Sequence, residues 1–415
     1  MNQLQIPNGW LEYSLKDLAD PLDKYSFKGG PFGSDLKSAH YTTAGVRVLQ
    51  LQDIGEGVFL NKSDIYTSDE KADELLASNI YPGDILLAKM APVARCCIVP
   101  DESPRYVMCS DGIRLAVNKQ MFDRDYVFHS LNAPTFREKA NALSTGTTRA
   151  RIGLSDLKAL TIYCPTLPEQ QKIAEVLSTV DKKIDLIDQK IVETEKLKTG
   201  LMQKLFSEGV GVQDENGEWQ PHTDFETVEG SQIPKGWLKT TLSQVIKVKS
   251  GDSLSKKNME EGCIPVFGGN GISGYHSKPN FNSPQLVIGR VGEYCGAVHI
   301  TPEKSWITDN ALLVTETLIN VSFEFLYYLL VSVDLNKYAS RNAQPLVSGR
   351  TLNLVTIKVP QEAEQYEIVN ILSTVDKKLT LLNRQMEETR SLKKGLMQKL
   401  LTGEWRVPVE ETEAA

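Results

Sequence analysis

The chain holds 415 residues with a formal net charge of −7, 41% apolar and 24% charged side chains, so two globular domains with additional elements are expected of an ordinary soluble protein. No run approaches the roughly 18 apolar residues needed to cross a bilayer, no signal peptide is visible at the start, and six cysteines (Cys96, Cys97, Cys109, Cys164, Cys263, Cys295) lack metal or disulfide-framework spacing, as thiols of a reducing cytosol would. The acidic balance argues only weakly against a nucleic-acid partner, because phosphate attraction is screened beyond about 10 Å and a local basic patch decides.

Along the chain, Ile6-Pro7-Asn8-Gly9-Trp10-Leu11 opens a first variable region. Gly29-Gly30-Pro31-Phe32-Gly33-Ser34 follows, an exposed loop made basic by Lys28 and Lys37. Tyr81-Pro82-Gly83-Asp84 predicts a turn ahead of an apolar strand, Ile85-Leu86-Leu87-Ala88, with Cys97-Ile98-Val99 as its return and Lys89 at the mouth of the hairpin. A helical stretch is expected around residues 126–143. The loop after it, Ser144-Thr145-Gly146-Thr147-Thr148, carries Arg149 and Arg151.

Beyond Pro165 the period changes. Ile173, Leu177, Val180, Ile184, Ile187, Ile191 and Thr194 step by alternating fours and threes, the seam of a coiled coil. Past Thr194 the seam is expected to slip to Leu197, Leu201 and Leu205, with Gly200 in its path. A glycine inside a helix costs on the order of 1 kcal/mol against alanine, which predicts a break or a close helix crossing there. Residues 207–232 turn Gly-, Asp- and Glu-rich and read as a linker.

The second half repeats this order. Ile233-Pro234-Lys235-Gly236-Trp237-Leu238 echoes the opening, and Lys256-Lys257-Asn258 is the counterpart of the first basic loop. Leu286-Val287-Ile288-Gly289 and Ala297-Val298-His299-Ile300 predict a second hairpin with Arg290 at its mouth. A helical stretch around residues 323–339 precedes a loop holding Arg341, Asn342, Gln344, Ser348 and Arg350. Ile368, Leu372, Val375, Leu379, Leu382, Met386 and Thr389 form the second seam, with the same expected slip to Leu392, Leu396 and Leu400 around Gly395. Residues 408–415 are an acidic tail.

The duplication is literal in places. Ser178-Thr179-Val180-Asp181-Lys182-Lys183 returns as Ser373-Thr374-Val375-Asp376-Lys377-Lys378, and Gly200-Leu201-Met202-Gln203-Lys204-Leu205 as Gly395-Leu396-Met397-Gln398-Lys399-Leu400. Two copies of one seam favour pairing with each other, and within a single chain an antiparallel pair closes most easily. The expected fold class is α+β: two globular mixed α/β domains separated by two long helices that pair as an antiparallel coiled coil, with a pseudo-two-fold internal repeat. A helix of roughly 35 residues runs about 50 Å, holding the domains apart at the ends of a rod.

Catalytic signatures are missing. Gly269-Asn270-Gly271-Ile272-Ser273-Gly274 matches the dinucleotide fingerprint in letters, but Tyr275-His276-Ser277-Lys278-Pro279 does not start the helix which that site needs, so the stretch reads as a loop. There is no P-loop and no Asn/Asp-Pro-Pro-aromatic run of an amino-methyltransferase. The five histidines (His40, His129, His222, His276, His299) lack paired ligand spacing. Binding is better supported, because Arg, Lys, Asn and Gln on loops reach phosphates and base edges. The candidate DNA-contacting residues are Lys28, Lys37, Lys89, Arg149, Arg151, Lys256, Lys257, Arg290, Arg341, Gln344 and Arg350. A coiled-coil scaffold carrying two protein-interaction domains is the alternative, separable by its lack of salt-dependent DNA retention.

Several phrases, in order and duplicated, resemble the specificity subunits of type I restriction–modification systems. They are Gly30-Pro31-Phe32-Gly33-Ser34-Asp35-Leu36-Lys37, Ile152-Gly153-Leu154-Ser155-Asp156-Leu157-Lys158, Leu167-Pro168-Glu169-Gln170-Gln171-Lys172-Ile173-Ala174, Gly230-Ser231-Gln232-Ile233-Pro234-Lys235-Gly236-Trp237 and Leu400-Leu401-Thr402-Gly403-Glu404-Trp405-Arg406-Val407. The second helix departs at its start, with Glu362-Ala363-Glu364-Gln365 in place of Pro-Glu-Gln. The resemblance implies target recognition domains at residues 1–164 and 233–359, each reading half of a split, asymmetric DNA site. It implies helices at 165–206 and 360–407 that set the gap and dock two methyltransferase subunits and the restriction subunits. S-adenosylmethionine, ATP and Mg are then expected in those partners, with no cofactor in this non-catalytic chain.

Overall fold

The computed structural model describes residues 7–146, 149–340 and 345–409. The chain forms two units, one of residues 1–188 with 385–415 and the other of residues 189–384, so each unit draws on both long helices.

The first unit contains β1 (Leu11–Ser14), β2 (Phe27–Gly29), β3 (Ile85–Ala88), β4 (Cys96–Ile98), β5 (Gly112–Leu115), helix α1 (Arg124–Asn132), β6 (Thr161–Cys164) and the start of helix α2 (Leu167–Ser207). One sheet has the order β2-β5-β3-β4, and β1 pairs with β6 in another. The expected hairpin is present, with Leu86 opposite Cys97. Its unbroken apolar run has a plain cause, since a strand covered on both faces gains nothing from alternation. Ile85 and Leu87 face the core that holds Tyr126 and Leu131 of α1. Leu86 and Ala88 face a second cluster with Leu49, Tyr106 and Met108.

The second unit repeats the plan with β7 (Leu238–Thr241), β8 (Ile246–Ser250), β9 (Leu286–Gly289), β10 (Val298–Ile300), β11 (Ala311–Thr317), helix α3 (Phe323–Val333), β12 (Thr356–Val359) and helix α4 (Glu362–Leu400). Its main sheet has the order β8-β11-β9-β10, and β7 pairs with β12. Leu286 and Ile288 face a core with Phe325 and Leu329 of α3, while Val287 faces Phe267 and Ile307 on the other side. The variable regions are thus different sequences on one strand order.

Within each unit the helix segments run antiparallel. In the first, Ile173 and Leu177 near the start of α2 share a core with Met397 and Leu400 at the end of α4. In the second, Leu205 at the end of α2 shares a core with Ile368 and Leu372 near the start of α4. Of the remaining seam residues Ile187, Val375, Leu382 and Met386 are buried, and Val180, Ile184, Ile191 and Leu379 are half-buried.

The expected slip of the seam does not occur. Leu197 and Leu392 point outward, 51% and 53% exposed. The alternating step continues instead through half-buried Lys198 and Lys393 to Leu201, Leu205, Leu396 and Leu400. The long aliphatic stem of a lysine suits a seam position, and its ammonium can reach a partner beside it. Nor does glycine break either helix: both run on through Gly200 and Gly395. A Cβ added at either glycine would meet nothing, so neither marks a close crossing.

One glutamine anchors each helix to its domain. Gln170 Nε2 donates to Pro165 O at 2.9 Å and Met121 O at 3.3 Å, and its Oε1 accepts from Asp123 N at 2.9 Å. Gln365 Nε2 donates to Pro360 O at 3.1 Å and Asn320 O at 3.2 Å, and its Oε1 accepts from Ser322 N at 3.2 Å. The altered start of the second helix keeps this function intact. Residues 207–232 carry structure of their own, two hairpins that pair Val212–Gln213 with Trp219–Gln220 and Phe225–Val228 with Ser231–Pro234. The carboxylate of Glu364 holds this segment through Val210 N at 2.8 Å and His222 Nε2 at 3.0 Å, and also accepts from Trp237 Nε1 at 2.8 Å.

Candidate nucleic-acid interface

At one end of each main sheet three backbone segments meet at a corner. In the first unit Gly30 N donates to Gly112 O, Lys89 N donates to Asp111 O, and Ile152 N donates to Lys89 O. Met90 bridges Arg151, and Arg151 also bridges Thr145, which pins the loop that carries Arg149. In the second unit Gly251 N donates to Ala311 O, Arg290 N donates to Asn310 O, and Val347 N donates to Arg290 O. Val291 bridges Leu346, which in turn bridges Ser340. The wiring is the same with different side chains on it. Lys89 and Arg290 therefore occupy one structural position, as their places at the two hairpin mouths predicted.

Glycine is required at this corner. A Cβ on Gly30 would collide with the Cys109 carbonyl, and one on Gly251 with the carbonyls of Ile307 and Thr308. Only a residue without a side chain lets the incoming loop lie this close to the sheet end.

The charges differ in how they are held. Arg151 pairs with Asp111 at 2.5 Å, which fixes its guanidinium beside the exposed loop. Arg290 donates from Nη1 to Ser250 Oγ at 3.1 Å and to Asp309 O at 3.4 Å. Its Nε is buried and has no hydrogen-bond partner among the described residues. Among the described residues Lys28, Lys37, Lys89 and Arg149 have no ion-pair partner, and all but half-buried Lys89 are exposed. Unpaired cations on a protein surface are available to phosphates.

The structure brings Lys89, Arg149 and Arg151 to the first corner and Arg290 to the second. Lys28 stands on β2 opposite Arg114 of β5, and Lys37 precedes a short 3-10 turn in the loop beyond Phe32. Lys257 lies exposed in the 3-10 turn Lys256–Asn258. Arg350 is exposed on the short helix Gly349–Leu352. It is Leu346, not an arginine, that takes the place of Arg151. Arg341, Gln344 and the Lys256 side chain lie outside the described residues.

The Gly269–Gly274 stretch is a hairpin rather than a strand-to-helix turn. Gly269 and Asn270 join strands Ile264–Gly268 and Gly271–His276, and such a hairpin offers no helix N-terminus to a pyrophosphate.

Sequence reasoning passed over the residues that tie the long helices to each other and to the domain helix of each unit. Asp181 and Asp376 sit in the repeated phrase and bind Lys393 and Lys198 at 2.5 and 2.6 Å. Each also faces a residue of the domain helix. His129 Nδ1 of α1 lies 3.9 Å from Asp181, and its Nε2 is 3.3 Å from Ser178 Oγ. Tyr328 of α3 donates its hydroxyl to Asp376 at 2.8 Å. Burial, opposed in part by Asp181, lowers the His129 pKa to about 4. Burial and the Asp376 carboxylate raise that of Tyr328. The signal was in the sequence: charged residues repeated at fixed spacing inside a seam.

A family model described as type I restriction modification DNA specificity domain matches residues 7–196 and 234–389. The chain is 23% identical to the type I restriction enzyme MjaIX specificity subunit of Methanocaldococcus jannaschii, with 97% of this chain and 95% of that protein covered. It is 32% identical to the type I restriction enzyme EcoprrI specificity subunit of Escherichia coli over 37% of this chain and 38% of that protein. The fold is similar to the crystal structure of a type I restriction–modification S subunit from M. genitalium, with a TM-score of 0.60 at 20% identity, covering 96% of this chain and 97% of that one.

Proposed function

The chain belongs to the type I restriction–modification DNA specificity family, and from that premise we propose that it reads a split DNA site, one half with each unit. Members of the family are the specificity subunits of their complexes, which recognise DNA and do no chemistry. The finer reading assigns residues 1–164 and 233–359 to the two target recognition domains. The observation that carries it is the pair of corners: one backbone arrangement, presenting Lys89 with Arg151 in one unit and Arg290 with Leu346 in the other. Two readers of the same build with different side chains suit a site whose halves differ in sequence.

On this reading α2 and α4 set the spacing between half-sites and dock two methyltransferase subunits together with the restriction subunits. Those partners bind S-adenosylmethionine, ATP and Mg, and the pocket for a flipped adenine is theirs. The test is to map methylated adenines in DNA from cells carrying the complete system. Two short, unlike half-sites separated by a fixed unread gap are expected. A single contiguous motif, or no methylation that depends on this chain, would overturn the proposal.

A further inference from the structure

We infer that Phe32 is an apolar wedge that packs its ring against the bases of the half-site read by the first unit; this rests on the reading of the chain as a DNA-recognition subunit. Phe32 is 82% exposed, an unfavourable place for a phenyl ring with nothing to cover it. Its loop is nevertheless tightly held. Gly30, on one side, is locked against the Cys109 carbonyl and bonded to Gly112 O. Pro31 and Leu36 are buried, and Asp35 N and Leu36 N both donate to Phe32 O, at 2.9 and 3.4 Å. The ring is thus displayed from a fixed backbone rather than carried on a loose one.

The surroundings indicate what the ring meets. Two residues before it, Gly30 forms the corner with Lys89 and Arg151, and unpaired Lys28 and Lys37 flank the loop on either side. Cations around a single exposed aromatic ring match a nucleic acid, whose phosphates take the charges while its base faces take the ring. A protein partner would more often bury a contiguous apolar patch. In the second unit the equivalent loop runs Gly251-Asp252-Ser253-Leu254, with Asp252 and Ser253 exposed and Leu254 half-buried. The wedge therefore belongs to one half of the site only.

The experiment compares the full chain, assembled with its methyltransferase subunits, with the Phe32→Ala and Phe32→Trp forms. The probe is a short duplex bearing one site found by mapping methylated adenines, with 2-aminopurine placed in the half read by the first unit. Phe32→Ala is expected to weaken binding about 10- to 100-fold, the scale of one base–aromatic stack. The slope of affinity against salt should not change, because no phosphate contact is lost. Phe32→Trp should restore binding and have its added fluorescence quenched on DNA. Wild-type affinity in Phe32→Ala, or loss of subunit assembly with DNA affinity intact, would overturn the wedge alone. Absence of DNA binding by the unsubstituted complex would overturn the wedge together with the DNA-recognition reading.

Discussion

Lys393 of α4 donates to Asp181 of α2 at 2.5 Å. Lys198 of α2 and Asp376 of α4, the corresponding residues of the opposite copies, repeat that bond at 2.6 Å in the second unit. Each lysine occupies a seam position, where a charged group costs stability but specifies register. A seam of Ile, Leu and Val alone could slide by a heptad with little penalty. The ion pairs are made in one register only.

Replacing Lys393 by alanine should lower stability by about 1 kcal/mol, since the pair is partly solvated. A Lys393→Asp form combined with Asp181→Lys should recover most of the loss. Denaturant unfolding of the two single forms and the double form gives the coupling energy. Coupling near zero would show that register rests on apolar packing alone.

The pH dependence of stability follows from His129. Burial lowers its pKa to about 4 in the folded chain, against about 6.5 when unfolded. Below pH 6.5 the unfolded chain takes up a proton that the folded chain refuses, so stability falls as pH drops from 6.5 towards 4 and this contribution then levels off. The loss should be on the order of 3 kcal/mol in total. His129→Asn should flatten that window, as measured by urea midpoints of both proteins across it. Parallel curves would mean that His129 takes up its proton as readily in the folded chain as in the unfolded one.

Lys89→Ala and Arg290→Ala should each act on one half of the recognised site. Loss of one phosphate contact reduces the salt slope by about 1, whereas loss of a base contact costs about 1–3 kcal/mol and relaxes one position. Methylation mapping and salt titration of each variant distinguish these outcomes. Relaxation of both halves by one substitution would contradict a division of reading between the units.

Removal of one heptad from both helices should shorten the unread gap by about three base pairs, since seven helical residues span about 10.5 Å. Mapping of methylated adenines in a strain carrying the shortened chain checks this. An unchanged gap would remove the helices as its determinant.

Much of this architecture was legible because it is periodic. The seam from Ile173 to Ile191 and the runs at 85–88 and 286–289 announce elements whose burial dictates their residues. What stayed hidden depended on partners distant in sequence. Lys198 and Lys393 look like surface residues until Asp376 and Asp181 are placed beside them. Asp111 carries no local sign that it fixes Arg151. The hairpins within 207–232 were masked by acidic composition, although Asp214 accepting from Asn216 N and Glu218 N is ordinary turn chemistry.

The anchors at Gln170 and Gln365 have a consequence for how such chains change over time. Every group they bind is main-chain: Pro165 O, Met121 O and Asp123 N for one, Pro360 O, Asn320 O and Ser322 N for the other. A fastening that engages only backbone makes few demands on the identity of the residues it holds. The residues at these junctions can therefore vary while the two glutamines keep their hold, whereas His129 and Tyr328, which meet the helices through their side chains, are what each domain must still supply. The hold is thus indifferent to side chains at the helix start and particular further along, where His129 and Tyr328 meet Asp181 and Asp376.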